Sequence, residues 1–344
     1  MIFSQSVIGN SRLAKLQYAE VQAVRNANAL QERIWMQNGL VTNDGLIPQD
    51  LYQEFDNVTV QEMRLDEGDT FLNDLLPNSK SVNIGTLVTK FRQGSSAGNA
   101  QTSMTGQIGI LMDQVEYTYD GTIVPIHDSG FGRNFREVAA HTAGGFDALV
   151  DDQRESVRTV RNRAADTFMD GHTDKNGVII TVDGLSWSGM RNDTRVAQVT
   201  LVFDFTDVTK TGDEIKAAFI AEIRDVMRIT NKCLQDLTYY VSPQIISNME
   251  RKFSTQYDTK IIMQELADLV GVGAIKETSK LTGNQIMGFP LGGTNVRPIV
   301  GMGVNTVAMA RPNFNSNHNF ATWAAIGWEV REDFLGNTCA VYAS

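Results

Sequence analysis

Cysteine is scarce in this chain of 344 residues. Cys233 and Cys339 are too few and too far apart for a disulfide framework or a zinc cluster, and they read as buried free thiols in a reducing cytoplasm. Positive charge is also in short supply. Thirty Lys and Arg against 40 Asp and Glu leave a formal charge of −10 and a pI of about 5.0. Proteins that grip nucleic acid by its phosphates usually show the opposite balance, which argues against tight adhesion to it without forbidding DNA nearby. No run approaches the roughly 18–20 apolar residues of a membrane span. The opening MIFSQSVIGNSRLAK has no basic stretch followed by a continuous apolar one, so the expectation is a soluble protein, intracellular when made and without a membrane partner. HExxH, Walker A, the Rossmann glycine fingerprint and CxxC are all missing, which argues against the common enzyme classes. No cofactor or metal is expected.

What is present is an ordinary globular composition, 42% hydrophobic and 20% charged, enough for one large domain or two modest ones. Ser11 to Met36 reads as an amphipathic helix broken at Asn43-Asp44-Gly45, and a shorter helical stretch follows Pro48. Val82 to Phe91 has strand composition. GSSAGNAQTSMTG at 94–106 reads as a flexible loop tip, and Val115, Tyr117 and Tyr119 then alternate with polar residues at the period of a strand. Strand, loose tip and strand make a long hairpin whose tip is too polar for a core. Phe146 to Met169 is the strongest helix, with acidic residues at its start and arginines later, as the helix dipole favours. Val178 to Phe205 reads as strand-like. Thr211-Gly212-Asp213-Glu214 is a capping box opening a helix with Ile215, Phe219, Ile223, Val226 and Ile229 on one face. Leu237 to Val241 reads as a strand, Ser242-Pro243 as a helix start, and Thr259 to Leu269 as a further helix. Val296 to Met309 and Ile326 to Tyr342 are strand-rich around a loop at Asn313 to Asn319.

Four features invite a chemical reading. Gly94-Ser95-Ser96-Ala97-Gly98 fits G-x-S-x-G, and a serine hydrolase on Ser96 is one alternative. That chemistry needs a strand-to-helix turn and a histidine base, whereas polar loop sequence follows, and His127, His141, His172 and His318 stand in no supporting motif. A flexible small-residue loop fits better. His172 to Asp183 loosely resembles a calcium loop through Asp174, Asn176 and Gly177. It has histidine first and no glutamate twelfth, so an Asn-Gly turn fits better. Arg154, Arg158 and Arg161 form a helical stripe that could face DNA or a neighbour's carboxylates, or pair locally as Asp151–Arg154 and Glu155–Arg158. Trp323 and Trp328 read as core or interface aromatics.

The order of these elements resembles the major capsid proteins of tailed double-stranded DNA phages, which have the Hong Kong 97-type fold. That resemblance implies an α+β, Hong Kong 97-like capsid fold with an N-terminal arm, an extended loop hairpin, a long spine helix, a peripheral domain and an α/β axial domain. The GSSAGNAQTSMTG tip lies within the implied extended loop at about 82–127, and the spine helix would be about 146–170. The resemblance covers about residues 65–344; residues 1–65 lie outside it and are expected to serve as the arm, with 66–176 the first part of the peripheral domain. Residues 177–297, containing LTYYVSPQIISNMERKF, would be the axial domain. The ending AAIGWEVREDFLGNTCAVYAS lies in 298–344, the implied return to the peripheral domain.

The resemblance implies no enzyme. It implies a shell that self-assembles from hexamers and pentamers, is handled by a scaffolding protein, a portal and in some relatives a decoration protein, and touches packaged double-stranded DNA weakly. The implied location is the virion capsid, with assembly in the host cytoplasm. The arm is shorter than the built-in scaffolding segment of some relatives, which points to a separate scaffold. Candidate inter-subunit contacts are Lys90, Arg92, Gly94, Gly98, Gly106, Arg154, Arg158 and Arg161. Some relatives cross-link through a loop lysine, but nothing matches Lys90 with an acceptor. Gly94, Gly98, Gly106, Gly144-Gly145 and Gly292-Gly293 are candidate hinges. An encapsulin-like shell with an enzyme cargo, or a tail or decoration protein, are further alternatives.

Overall fold

The structure is a computed structural model that describes residues 19–27, 29–30, 68–98, 100–105, 109, 112–143, 148–254, 260–313 and 315–344. The chain divides into two units, 1–60 and 61–344. In the first, 19–27 and 29–30 are helical, within the expected helix. The stretch after Pro48, Gly106 and Gly144-Gly145 lie outside the described residues.

In the second unit a short helix α1 (Asp69–Leu75) precedes strand β1 (Lys80–Ser81) and the hairpin β2 (Val88–Gly94) and β3 (Tyr117–Ile123). β4 (Ile126–Arg133), α2 (Phe135–Ala143) and the 23-residue α3 (Ala148–Asp170) follow. Next come β5 (Ala197–Val199), α4 (Gly212–Ala218), β6 (Leu237–Val241), α5 (Pro243–Met249), α6 (Ile262–Ala267), β7 (Val272–Glu277) and β8 (Ile286–Phe289). The chain ends with β9 (Val296–Ala308), β10 (His318–Val330) and β11 (Val341–Ala343). A four-stranded sheet runs β1-β9-β10-β4, a five-stranded sheet runs β5-β11-β8-β6-β7, and β2 pairs only with β3.

Local chemistry explains several boundaries. The Thr211 side chain accepts from the Glu214 N–H and Glu214 reaches back, so the capping box forms. Ser242 accepts from the Ile245 N–H with Pro243 in the first turn of α5. α3 stops at Gly171, whose φ of +90° suits glycine; a Cβ there would lie 2.6 Å from the Trp187 carbonyl oxygen. After α4 the helix continues as wider i→i+5 turns over Phe219–Arg224 and Val226–Thr230. Their extra residues per turn keep Ile215, Phe219, Ile223 and Met227, at four-residue steps, on one buried face. Ile229, expected on that face, is rotated off it and lies exposed.

The five-stranded sheet is covered on both faces. Tyr240, Met287 and Tyr342 face a core with Phe71, Leu75, Val160, Phe168, Trp187 and Trp328. Their neighbours Tyr239, Ile286 and Val341 face a second core with Ile215, Phe219, Ile223, Ile245 and Leu266. β6 is therefore buried at every position, as strands sandwiched between layers are. α3 packs into the first core through Val160, Ala164, Ala165, Phe168 and Met169. The Asp74 carboxylate accepts from the Tyr240 hydroxyl at 2.5 Å and pairs with Lys276 at 2.6 Å, tying α1 to this sheet.

Three expectations need correction. Cys233 and Cys339 are buried but form a disulfide, with Cα atoms 5.4 Å apart. They are 106 residues apart in sequence, and only the insertion of β11 between β5 and β8 brings them together. Residues 178–205 hold one three-residue strand, β5; turns at Gly184 and Gly189, isolated bridges at Ile179 and Val182–Leu185 and unpaired stretches take up the remainder. The last long strand begins at His318, and residues 331–340 leave it as turns. β9 and β10 pair with β1 and β4, but β11 crosses into the five-stranded sheet, where Val341 and Ala343 complete its second core.

Candidate functional site

The β2–β3 register divides the hairpin into two faces. Lys90 stands opposite Gly121, Arg92 opposite Tyr119 and Gly94 opposite Tyr117. Alternation puts these six residues on one face, with Thr89, Phe91, Gln93, Thr118, Asp120 and Thr122 on the other. The second face turns toward the body of the unit. Phe91 is buried beneath the Arg331 guanidinium, 5.2 Å from the ring centroid. Gln93 donates to the Glu332 carbonyl at 3.3 Å, and Arg195 pairs with Asp120.

Beyond Gly121, which is buried, the first face is open. Tyr117 and Tyr119 are 59% and 66% exposed, Lys90 and Arg92 are exposed, and Arg92 lies 6.0 Å from the Tyr117 ring centroid. The face carries two cations, two phenol rings and no carboxylate in a chain of net charge −10. Toward the tip, Ser95 and Glu116 exchange hydrogen bonds, and the Asp113 carboxylate accepts from Gly98 and Gln114 N–H groups, which hold it below the usual carboxylate range. Gly98 sits there with a φ of +78°. Met104 and Met112, in the same loop between β2 and β3, are exposed.

A second open surface lies on β9. β1 pairs with β9 at Ile299 and Val300 only, and among the described residues no strand pairs with that side of β9 further on. From Gly303 to Met309 it bears no charge and exposes Val304, Val307 and Met309. Uncharged, exposed sheet edges accept further strands.

The remaining candidates are dispersed. Arg154 pairs with Asp151 at 3.3 Å, as the local reading had it. Arg161 donates to Asn73 at 2.9 Å and Arg158 is half-buried. These arginines lie on α3, an element separate from the hairpin. Ser96 lies exposed in the loop after β2, with no helix behind it. His172 is buried, and Asp174 caps a turn by accepting from the Asn176 and Val178 N–H groups. Among the described residues no three metal-ligating side chains converge, and no helix is long and apolar enough to cross a membrane. Trp328 is core, donating to Thr167 at 3.2 Å, while Trp323 is half-buried.

Sequence reading missed Arg195, which carries no motif, and the His127–His172 pair. Those rings lie 5.9 Å apart, buried, and neither His172 nitrogen has a hydrogen-bond partner among the described residues. Burial and the Arg163 charge push His127 down to about 4, against a backbone hydrogen bond at Ile326 and the Asp128 charge. Burial, His127 and Arg163 push His172 well below its ordinary value.

The family model that describes a family of unknown function, DUF6260, matches residues 41–343. The chain belongs to that family. No curated protein matches it by sequence. Its structure is similar to the capsid of Myoviridae phage XM1, at 12% identity and a TM-score of 0.64, covering 88% of this chain and 99% of that one. Mycobacterium phage Adephagia gives 8% identity and a TM-score of 0.55, with 88% and 94% covered. The capsid of cyanophage P-SCSP1u gives 11% and 0.53, with 88% and 94% covered. The fold of the DUF6260 chain is the α+β, Hong Kong 97-type fold.

Proposed function

We propose that this chain is the major capsid protein of a tailed phage, a structural and non-enzymatic subunit that self-assembles into an icosahedral head. The observation that carries this reading is the match to the XM1 capsid chain over 88% of one and 99% of the other. The shared fold spans nearly the whole of that capsid chain. The two open surfaces agree with it, since a shell subunit buries extended elements on its neighbours in contacts repeated by symmetry.

In this reading the β2–β3 hairpin is the extended loop and α3 the spine helix. The layered unit around β6 is the axial domain, and β9 and β10 belong to the peripheral domain. Lys90 and Arg92 are the contacts favoured on the hairpin, joined by Tyr117 and Tyr119. A separate scaffolding protein, a portal and weakly held double-stranded DNA complete the set of partners, with assembly in the host cytoplasm and residence in the virion. The acidity of the chain supports weak contact with DNA.

Negative-stain microscopy of the chain expressed alone and with its neighbouring open reading frames tests the proposal. Closed shells, or sheets and tubes of hexamers, are expected. A monodisperse monomer or small oligomer under both conditions would overturn it. Shells that co-purify with an enzyme cargo instead of a portal would replace the phage head by a cargo compartment.

A further inference from the structure

One side chain grips the base of the hairpin. Arg195 is 7% exposed, and all five of its N–H donors are used. Nη1 donates to the Gly121 carbonyl at 2.8 Å and to Asp120 Oδ2 at 3.4 Å, both on β3. Nη2 donates to the Ser186 carbonyl at 2.7 Å and to Asp193 Oδ2 at 2.8 Å, and Nε donates to Asp193 Oδ1 at 2.7 Å. The guanidinium lies 5.6 Å from the Trp187 ring centroid. Trp187 stacks on Phe168 and donates to the Thr167 carbonyl at 2.9 Å, and the Met190 N–H bonds the Phe168 carbonyl. A single guanidinium thus joins β3, through residues 186–196, to the C-terminal end of α3.

We propose that Arg195 is the positioning residue that sets the direction in which the hairpin leaves the body. It would thereby decide where Lys90, Arg92, Tyr117 and Tyr119 land on a neighbouring subunit, and this last step rests on the capsid reading. A two-stranded ribbon has little rigidity of its own. No further strand joins it among the described residues, so its aim depends on what holds its inner face. From β2, Phe91 contributes a ring beneath the Arg331 guanidinium and Gln93 one neutral hydrogen bond, whereas Arg195 contributes the multidentate, ion-paired contact on β3. Buried ion pairs add little net stability compared with apolar packing, but their geometry is demanding, which suits an element that must point one way. Lysine, with one ammonium, cannot span β3, Ser186 and Asp193 together.

Hydrogen exchange on the full chain tests the proposal in wild type, Arg195→Lys and Asp120→Asn, the last leaving the Arg195–Asp193 pair in place. Exchange in residues 88–94 and 117–123 is expected to rise about ten-fold in Arg195→Lys and less in Asp120→Asn, with β6 and β8 unchanged. Irregular or unclosed assemblies are expected where wild type forms uniform shells. Unchanged hairpin exchange in both variants, or a rise shared equally by β6 and β8, would overturn the proposal. If Arg195→Lys does not fold, the local rise in Asp120→Asn decides alone. Failure of wild type to assemble would count against the capsid reading, whereas the exchange pattern would still decide the clamp.

Discussion

His127 and His172 are two buried rings, tilted against each other where β4 meets the end of α3, with Arg163 and Asp128 as the charges acting on His127. An unfolded histidine takes its proton near pH 6.5 and folded His127 only near 4. The unfolded state therefore binds more protons in that window, and stability falls as pH drops through it. For His127 alone the loss between pH 7.5 and pH 5 amounts to about 2 kcal/mol. Urea midpoints measured at both pH values in wild type and in a His127→Gln variant check this. The variant is expected to show the smaller difference, and equal differences would exclude the histidine as the source. At the same scale, the alternation of Tyr117 and Tyr119 was readable in the chain, but the role of Arg195 was not. One arginine among thirty basic residues looks like any other until the fold surrounds it with Asp120, Asp193 and Trp187.

The elements divide into those that close a core and those that leave a face open. The hairpin's outer face is open, so removing its rings costs the isolated chain little. Replacing Tyr117 and Tyr119 by serine is expected to change the unfolding midpoint by no more than about 0.5 kcal/mol per site. Under the capsid reading the same change should abolish or distort assembly, because aromatic anchors dominate interfaces. Light scattering and negative stain on the purified double variant check both halves. Normal shells from it would remove the outer face from the list of contacts. Val304→Lys on the open side of β9 poses the same question for the sheet edge, where a lysine discourages strand addition. The elements with local signals were legible in advance: β6, the start of α5, the capping box of α4 and the long α3. The segment 178–205 was misread because apolar residues in turns imitate strand spacing, and Ile229 because the helix changes its turn width.

At the scale of the whole molecule, the chain returns three times to join layers that are distant in sequence. β9 pairs with β1, β10 with β4, and β11 enters the sheet between β5 and β8. The Cys233–Cys339 bond fastens that last insertion. Closing so long a loop restricts the unfolded chain, and loss of the bond is expected to cost about 2–5 kcal/mol. Denaturation with and without a phosphine reductant, beside a Cys233→Ser variant, measures the cost. Alkylation in denaturant without reductant should leave both thiols unlabelled. Labelling of both would show the pair unjoined.

Sequence alone determined the class of each strongly patterned element, the acidity of the chain and the polar character of the hairpin tip. Periodicity, capping residues and charge act over a few residues or over bulk composition, so they survive without a fold. Tertiary structure decided which hairpin face is open, which arginine holds its base, which histidines meet and that two distant cysteines join. Each of these depends on strand register and sheet order, set by the burial of Phe168, Trp187, Trp328 and their neighbours in a common core. Pairings across 75 residues for Arg195–Asp120 and 106 for the cysteines leave no local trace in the chain.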